Sequence, residues 1–439
     1  MKLQYILLTF FGIVAVVAVV VFALVPAEPE NGAVAGARGN VVIWGTYSSL
    51  GIAPVIARFN EVYQESFTVT YEFHDPKTFD REIVEALASE RGPDILLLPD
   101  DLILRHADKI ELISYQSMPP GVFSNLFIQA AEIYLRDQGL VALPFAIDPI
   151  VMYWNRDLFG NASLSAPPKY WDELLTMTPR LTKRDRRTSD ITQSAIAFGE
   201  FANVDHAKDI LALLMLQVGN SIVEIENGRP VAKVSVYDGK QFVPDQNIIS
   251  ALRFYMDFSN PLKSIYSWNR SKSGSLNEFI NGNLAVYFDY ASAYRGIAQK
   301  NPHLNFAVAP VPLPRDTTTE ITFAKVHGLA VLKKSKNKQT AFITVERLLL
   351  DDAPARDFAR AFNLPPVRRD LLGEKPTDAA LSVFYDSAIR GRTWLDPRPE
   401  ESDKAFRQAV ESVSSGRTTV SGAVSIIQTQ LSAALEPYQ

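Results

Sequence analysis

The sequence predicts an α/β protein in which a doubly wound parallel sheet follows an N-terminal transmembrane helix. Three observations support this fold class. An apolar run without charge occupies Tyr5–Val25, strand and helix patterns alternate over Val41–Leu98, and an acid interrupts an apolar stretch at Leu140–Phe159. Strict alternation of strands and helices is typical of parallel sheets with helices on both faces.

The N-terminal run Tyr5–Val25 would span about 31 Å as a helix, which matches the core of a bilayer. Lys2 precedes the run, and Glu28 and Glu30 follow it, so the start is expected in the cytoplasm and the rest outside. The apolar core is longer than that of a cleaved signal peptide. We therefore expect an uncleaved anchor (1–25), with cleavage left open, and then a flexible linker over Pro26–Asn40. The body would lie on the extracytoplasmic face of the membrane, or be secreted or periplasmic if the segment is cleaved.

Composition excludes several classes of protein. The chain has 439 residues, enough for two domains, and its net charge of −5 argues against nucleic-acid binding. It contains no cysteine, which removes disulfides, thiolate metal sites and thiol nucleophiles. The five histidines are scattered without helical pairing, so spacing indicates no metal or catalytic cluster. No cofactor is expected.

The first part of the body repeats strand and helix twice before a third strand. These elements are a strand at Val41–Trp44, a helix near Pro54–Tyr63, a strand at Phe67–Phe73, a helix from the Asp75-Pro76 cap to Glu90, and a strand at Asp94–Leu98. Ligands of such sheets bind outside the carboxyl ends of the strands. Polar turns occupy these ends at 47–49 and 100–101.

Asp148 lies inside the apolar stretch Leu140–Phe159, which has the composition of buried strands. A carboxylate is costly there unless it has partners or faces a water-filled cleft. One interpretation is that Asp148 caps a neighbouring backbone turn. We prefer the interpretation that it faces a ligand where the chain crosses between two domains.

The remaining patterns continue the α/β alternation around a charged loop at Lys183–Arg187. They predict a strand at Ile196–Phe201, a core helix within Asp205–Gly219, a hairpin at Val223–Val236, a helix at Asn247–Phe258, strands at Leu284–Tyr290, Phe306–Val311 and His327–Leu332, and helices at Thr340–Leu350, Lys404–Ser414 and Thr419–Leu435.

Several of these segments carry a family resemblance, in order along Val41–Leu435. They are VVIWGTYSS, RGPDILLLPDD, LPFAIDPIVMYWNRDLF, PPKYWDEL, FINGNLAVYFDYASAY, LPPVRRDLL and SSGRTTVSGAVSIIQTQL. Together they resemble the extracellular (periplasmic) solute-binding proteins of ABC importers, family 1, the group similar to maltose-binding protein.

The resemblance implies a two-lobed periplasmic-binding-protein fold, in which two doubly wound sheets are joined by crossing hinge segments. Lobe 1 would comprise 40–146 and 311–354, and lobe 2 would comprise 147–310 and 355–439. It also implies that the protein, as a monomer, captures a small solute such as a sugar or oligosaccharide between closing lobes. The solute would then pass to the permease subunits of an ABC importer.

The resemblance also implies ligand-binding residues. Asp101 and Asp148 match the two cleft carboxylates of the family, while Asp100 is open between a ligand contact and a helix cap. Glu200 matches another polar contact through a loose alignment. The first binding turn of the family corresponds to Tyr47, Ser48 and Ser49.

Aromatic contacts are expected to differ from those of maltose-binding protein. Ser292 occupies the position where the family often has a stacking tryptophan, with Tyr290 and Tyr294 as the neighbouring aromatic residues. Trp394 is a candidate for an aromatic wall from lobe 2, and its alternative role is packing beneath a proline-rich loop.

Three functions compete at this point. The first is solute capture for an importer, and the second is a membrane-tethered ligand sensor or other non-transport binding module of the same fold. The third is an exported glycosidase that uses Asp148 and a second acid. The sequence has no G-x-S-x-G, H-E-x-x-H or glycine-rich phosphate motif, and we expect no enzyme. Polyols, sugar phosphates, small peptides and polyamines remain alternative solutes.

Overall fold

The computed structural model describes residues 36–315, 317 and 319–438. The expected transmembrane run and most of the expected linker fall within 1–35, outside these residues. Within the described ranges, no helix combines the length and apolar character needed to cross a bilayer.

Strands occur along the whole described chain. They are β1 (Gly39–Gly45), β2 (Phe67–Phe73), β3 (Ile95–Pro99), β4 (Leu135–Arg136), β5 (Gly139–Leu140), β6 (Leu143–Asn155), β7 (Lys183–Arg184), β8 (Ile191–Ile196), β9 (Val223–Glu226), β10 (Arg229–Ala232), β11 (Ser235–Tyr237), β12 (Phe242–Pro244), β13 (Leu284–Tyr290), β14 (Phe306–Ala309), β15 (Thr322–Val331) and β16 (Gly391–Arg392).

Helices connect and cover these strands. They are α1 (Ser49–Tyr63), α2 (Phe79–Ala88), α3 (Ile103–His106), α4 (Pro120–Leu126), α5 (Arg156–Asn161), α6 (Trp171–Leu181), α7 (Ala207–Gln217), α8 (Gln246–Asp257), α9 (Ser275–Ile280), α10 (Ala293–Lys300), α11 (Lys338–Leu349), α12 (Asp352–Ala361), α13 (Arg369–Leu372), α14 (Ala379–Ile389), α15 (Pro399–Ser414) and α16 (Val420–Leu435).

One ten-stranded sheet organises the fold. Its path is β2-β1-β3-β15-β6-β13-β8-β7, with β14 beside β6 and β16 beside β15. The pairs β1–β2 and β1–β3 are parallel, as the strand–helix alternation predicts. Strand β15 runs antiparallel to both β3 and β6, so it returns through the middle of the sheet.

Strand β6 joins the two halves of the sheet, which are β2-β1-β3-β15 (the first half) and β13-β8-β7 (the second half). Residues 143–149 pair with β15, while residues 150–155 pair with β13 and β14. Pro149 lies at this change of partner, and proline has no backbone N–H to donate to a ladder. Most of the apolar stretch Leu140–Phe159, which has the composition of buried strands, forms this one 13-residue strand.

Burial explains why these residues adopt this arrangement. Every residue of β6 is buried except Trp154, which is half-buried, as expected for a central strand covered on both faces. Helix α7 is buried on almost every side, which confirms the expected core helix. Its apolar residues belong to one hydrophobic cluster that also includes the strands of both halves.

Some expected element bounds were wrong. The strand expected at Ile196–Phe201 is β8, which ends at Ile196, because Gly199 then adopts a φ of 91° against Ser259. Helix α1 begins before the expected Pro54 because the Ser48 hydroxyl accepts from the N–H of Leu50 at 3.4 Å.

The expected cap at Asp75 is a turn that precedes α2. The Asp75 carboxylate accepts from the N–H of Lys77 at 2.9 Å, and the helix begins only at Phe79.

Candidate functional site

The site lies where β1, β3 and β6 bring polar side chains to the middle of the sheet. Tyr47 follows the end of β1, Asp100 and Asp101 follow the end of β3, and Asp148 precedes the change of partner in β6. Burial raises the pKa of Tyr47 well above its usual value, and the charges of Asp148, Tyr71 and Asp100 raise it further. The structure therefore brings these four expected site residues together.

Asp100 is almost completely buried, with 2% of its surface exposed. Its Oδ2 accepts a hydrogen bond from the Thr393 hydroxyl, whereas its Oδ1 has no partner among the described residues. Burial and the neighbouring charge of Asp101 raise the pKa of Asp100 to about 8. The raised pKa favours the protonated carboxyl group, which can donate a hydrogen bond.

Asp101 forms an ion pair with Lys325 of β15, with 3.1 Å between Oδ2 and Nζ. Burial opposes ionisation of Asp101, but the charges of Lys325 and Lys208 prevail and lower its pKa. The Lys325 ammonium also lies 5.5 Å from the centre of the Tyr290 ring, within the range of a cation–π contact. Lys325 thus links the end of β3 to the end of β13.

Asp148 is 6% exposed, and its Oδ1 accepts from the backbone N–H of Ser292 at 3.0 Å. Burial raises its pKa to about 6, although the Ser292 hydrogen bond opposes the shift. The hydrogen bond from Ser292 agrees with the capping interpretation of Asp148. Its pairing with Lys325 places it beside the cleft, and a contact with a ligand stays a prediction.

Tyr290 lies at the centre of a second cluster of polar side chains. Its hydroxyl donates to Asp209 at 2.7 Å, and its backbone N–H donates to Asp289 at 2.6 Å. Nε2 of His206 lies 3.0 Å from Asp289. Burial opposes protonation of His206, but Asp289 and Asp209 raise its pKa above the usual value.

Lys208 of α7 lies at the centre of a third cluster of polar side chains. Its Nζ lies 2.7 Å from the buried Asp396 and 3.0 Å from the Ser402 hydroxyl. The same ammonium lies 6.0 Å from the centre of the Trp394 ring. Trp394 is 5% exposed and packs near Phe406, which corresponds to its alternative packing role.

Two adjoining cavities form the cleft at this site, with volumes of about 320 and 570 Å³. Both are lined by Asp101, Lys325, Pro399 and Glu400. The smaller one extends along α2 and the end of β3, and the larger one extends along α7 and α15. The start of α15 therefore faces the carboxyl ends of the first strands across the cleft.

Other expected site residues have different surroundings. Glu200 pairs with Arg270 at 3.4 Å, and Tyr294 packs edge-on against Phe306 and Phe384. Neither has a described contact with the acids at the end of β3. Ser48 caps α1, Ser49 begins that helix, and both are exposed. Ser292 contributes its backbone N–H to Asp148.

Sequence reasoning missed several polar residues of the cleft, namely His206, Lys208, Asp209, Asp289, Lys325, His327 and Thr393. The Tyr47 hydroxyl bonds Nε2 of His327 at 2.8 Å. Burial and the Lys325 charge lower the pKa of His327 to about 3, so the ring is neutral. Asp289 and Lys325 carry the same signal as Asp148, a charge within an apolar strand, which could have identified them.

The side chains at the site are suited to hydrogen bonding with a polar solute. Carboxylates, ammonium groups and hydroxyls converge on the cleft, and such groups fix the orientation of a polar solute. The rings of Tyr290 and Trp394 are both 5% exposed, so they offer little open surface for stacking. Among the described residues, no group of acidic or histidine side chains has the arrangement of a metal site.

Solved structures share this architecture. The cyclic alpha-maltosyl-1,6-maltose binding protein of Arthrobacter globiformis matches with a TM-score of 0.74 at 16% identity, over 91% of this chain and 100% of that one. The GacH receptor of Streptomyces glaucescens, solved unliganded and with acarbose, matches with a TM-score of 0.70 at 16% identity, over 92% of this chain and 100% of that one. The fold and the cleft define an α/β protein of the periplasmic-binding-protein class.

Sequence comparison identifies the family. Residues 55–381 match the bacterial extracellular solute-binding proteins, and the chain belongs to this family. A probable ABC transporter-binding protein of Deinococcus radiodurans is 24% identical over 301 residues, which cover 66% of this chain and 68% of the relative.

Proposed function

We propose that this solute-binding protein captures a sugar or oligosaccharide and delivers it to the permease subunits of an ABC importer. The observation that carries the proposal is the polar cleft at the crossing of β6, where Asp101, Asp148 and Lys325 converge. Two similar proteins support the solute class and the partner: one is a cyclic alpha-maltosyl-1,6-maltose binding protein and the other a probable ABC transporter-binding protein.

The two halves of the sheet would act as lobes that close on the solute. We propose lobe 1 as 40–146 with 311–354, and lobe 2 as 147–310 with 355–439, because β6 and β15 pair across the junction between them. The N-terminal run Tyr5–Val25 would anchor the body at the extracytoplasmic face of the membrane, since its length and flanking charges suit a span.

Direct solute contacts are proposed for Tyr47, Asp101 and Asp148. Asp101 lines the cleft, the Tyr47 hydroxyl bonds His327 of its wall, and Asp148 pairs in register with Lys325. Each of the three has side-chain oxygens that can bond sugar hydroxyls. Asp100 would act as a donor in its protonated form. Solute contacts of Glu200, Tyr294 and Trp394 are proposed from the family resemblance: Glu200 and Tyr294 contact other parts of the protein, and the Trp394 ring lies beside Lys208 of the cleft.

A thermal-shift screen of the protein against sugars, polyols, amino acids and polyamines tests this function. A solute present at 100 times its dissociation constant adds about 2.7 kcal/mol to stability. We expect a sugar to give such a shift and Asp148→Ala to remove it. Asp172→Ala, which changes an exposed acid of α6, should retain it. Shifts with cationic solutes alone would contradict the sugar assignment, and no shift across the panel would contradict solute capture.

A further inference from the structure

Three neighbouring strands connect the cleft to a second surface at their opposite ends. Strand β1 (Gly39–Gly45) leads to the turn at Tyr47, and β3 (Ile95–Pro99) leads to Asp100. Strand β15, antiparallel to β3, runs from the cleft residue Lys325 toward a turn at residues 333–337. At about 3.3 Å per residue, Gly39 and Gly45 at the two ends of β1 lie about 20 Å apart. The second surface is therefore on the side of the first half opposite the cleft.

This second surface is basic, although the whole chain has a net charge of −5. Its exposed cations, here called the basic face, are Arg38, Arg91, Lys333, Lys334, Lys336 and Lys338. Three of them, Arg91, Lys334 and Lys336, line a cavity of about 570 Å³. The acids nearby are Glu90, Asp94, Asp108 and Glu111, of which Glu90 and Asp108 are exposed, and Asp108 pairs with Lys109 at 2.7 Å.

Most of the acidic charge near the basic face is already engaged. The Asp94 carboxylate is 8% exposed and accepts from the Val42 N–H at 3.0 Å and the Ser335 hydroxyl at 2.6 Å. Glu111 pairs with Lys338 at 2.7 Å. In contrast, Arg91 and Lys336 form no ion pair within residues 36–315, 317 and 319–438. The face thus presents uncompensated positive charge to solvent.

The N-terminal segment enters the body beside this face. The N–H of Arg38 donates to the Thr340 hydroxyl at 3.0 Å, and that hydroxyl donates to the Arg38 carbonyl at 3.1 Å. The side-chain amide of Asn337 donates to the Asn40 carbonyl at 3.0 Å. These bonds fasten the entry point to the start of α11. From Val25 to Arg38 the chain can reach at most about 47 Å.

We propose that the basic face rests on an anionic phospholipid surface and holds the first half against the membrane with the cleft pointing outward. The inference rests on the proposed membrane anchor, which would keep the face within a tether length of the lipid. Lysine and arginine clusters next to a membrane attachment are attracted to acidic headgroups within a Debye length of about 10 Å. Delivery to a permease would then require the body to turn on its tether.

Fluorescence energy transfer to a lipid-surface dye tests the proposal on the full chain in vesicles. Because the chain has no cysteine, single labels can be placed through Gln339→Cys at the basic face and through Leu50→Cys at the cleft end. Leu50 is 88% exposed. In vesicles containing phosphatidylglycerol we expect several-fold stronger transfer from position 339 than from position 50. The difference should vanish in pure phosphatidylcholine or at high salt.

Charge reversal supplies the matched comparison. The double variant Arg91→Glu, Lys336→Glu should abolish the difference between the two labels. The variant Arg186→Glu, Arg187→Glu makes the same charge change in an exposed loop and should preserve it. Equal transfer from both labels in phosphatidylglycerol vesicles, or loss of the difference in the loop variant, would overturn the proposal.

Two further outcomes distinguish failure of the lipid-binding proposal from failure of the proposed membrane anchor and from binding of a soluble anion. No transfer from either label in any vesicle would overturn the anchor together with the membrane-resting face. A thermal shift with inorganic phosphate alone, removed by Arg91→Glu, Lys336→Glu without any lipid effect, would overturn the lipid assignment in favour of a soluble anion. The solute screen reports on the cleft independently of either outcome.

Discussion

At the scale of single residues, the cleft holds two acids in opposite electrostatic situations. Asp148 is buried beside Asp289 without a directly bonded cation, so burial raises its pKa to about 6. Asp101 is paired with Lys325, which lowers its pKa despite burial. Ionised Asp148 therefore lowers the stability of the empty protein, whereas ionised Asp101 increases it.

We expect Asp148→Asn to stabilise the solute-free protein at pH 8 by about 1–3 kcal/mol. The pKa is higher in the folded chain than in the unfolded chain, so ionisation lowers stability as pH rises from about 4 to 6. That cost persists above pH 6. Asparagine keeps an acceptor for the Ser292 N–H. Urea unfolding at a series of pH values measures the effect, which should vanish near pH 4.

Asp101→Asn is the control, with the opposite sign expected. The carboxylate contributes stability above the unfolded pKa and loses it as pH falls through the lowered folded value, so the variant should be less stable at pH 7. It also leaves Lys325 without its acid partner. Equal pH profiles for Asp148→Asn and the unsubstituted protein would contradict the account of Asp148.

The site residues divide into those that sequence reasoning could and could not identify. Asp101 and Asp148 were accessible because each follows or interrupts an apolar strand. Thr393 was not, because its bond to Asp100 joins residues separated by 293 positions, and no local pattern encodes such a contact. Trp394 was ambiguous because burial of an aromatic ring depends on tertiary packing rather than local sequence.

At the scale of elements, the central strands leave little room for larger side chains. Gly328 of β15 lies at a register shift opposite β6. A Cβ built on Gly328 would come 2.9 Å from the Ala142 Cβ and 3.1 Å from the Leu143 carbonyl. A side chain at this position would have to displace backbone as well as side-chain atoms.

Gly328→Val is therefore expected to destabilise the protein by about 1–3 kcal/mol through overpacking. The denaturant midpoint in urea measures this change. Gly296→Ala on α10 is the matched control, since no atom lies within 4 Å of its built Cβ. Alanine in a helix is favoured over glycine by up to about 1 kcal/mol, so this control should be neutral or stabilising. A tolerated valine at 328 would contradict the packing described for β15.

Strands were easier to predict than their connections. The expected strands Phe67–Phe73 and Leu284–Tyr290 have the observed bounds, because each is an apolar or alternating run of typical strand length. The end of β8 was misplaced because Gly199, with its positive φ, sits inside the mostly apolar run Ile196–Phe201. The pairing of β15 with both β3 and β6 was not accessible, since sequence periodicity reports exposure and not partners.

At the scale of the whole molecule, the proposed function requires the halves to approach each other. Spin labels at Leu50→Cys and Gln408→Cys would lie on opposite halves, because Leu50 belongs to the proposed lobe 1 and Gln408 of α15 to the proposed lobe 2. Both residues are exposed. We expect their separation to shorten when a solute identified by the thermal screen is added, because a ligand shifts the population toward the state it binds better. Pulsed electron resonance measures this distance.

A label pair within one half is the control for closure. Leu50→Cys and Gln339→Cys both lie in the first half, so their separation should stay constant. An unchanged distance between the Leu50 and Gln408 labels in the presence of bound solute would show that capture occurs without closure.

The crossing of β6 and β15 has a mechanical consequence. Because the two strands stay paired as far as Pro149, where β6 changes partner, the proposed movement between halves would deform a hydrogen-bonded ribbon rather than a slack loop. Such a ribbon resists deformation elastically, since each bend or twist away from its resting shape creates a restoring torque. The elastic energy stored when the cleft closes would favour its opening, so the junction would help to release the bound solute.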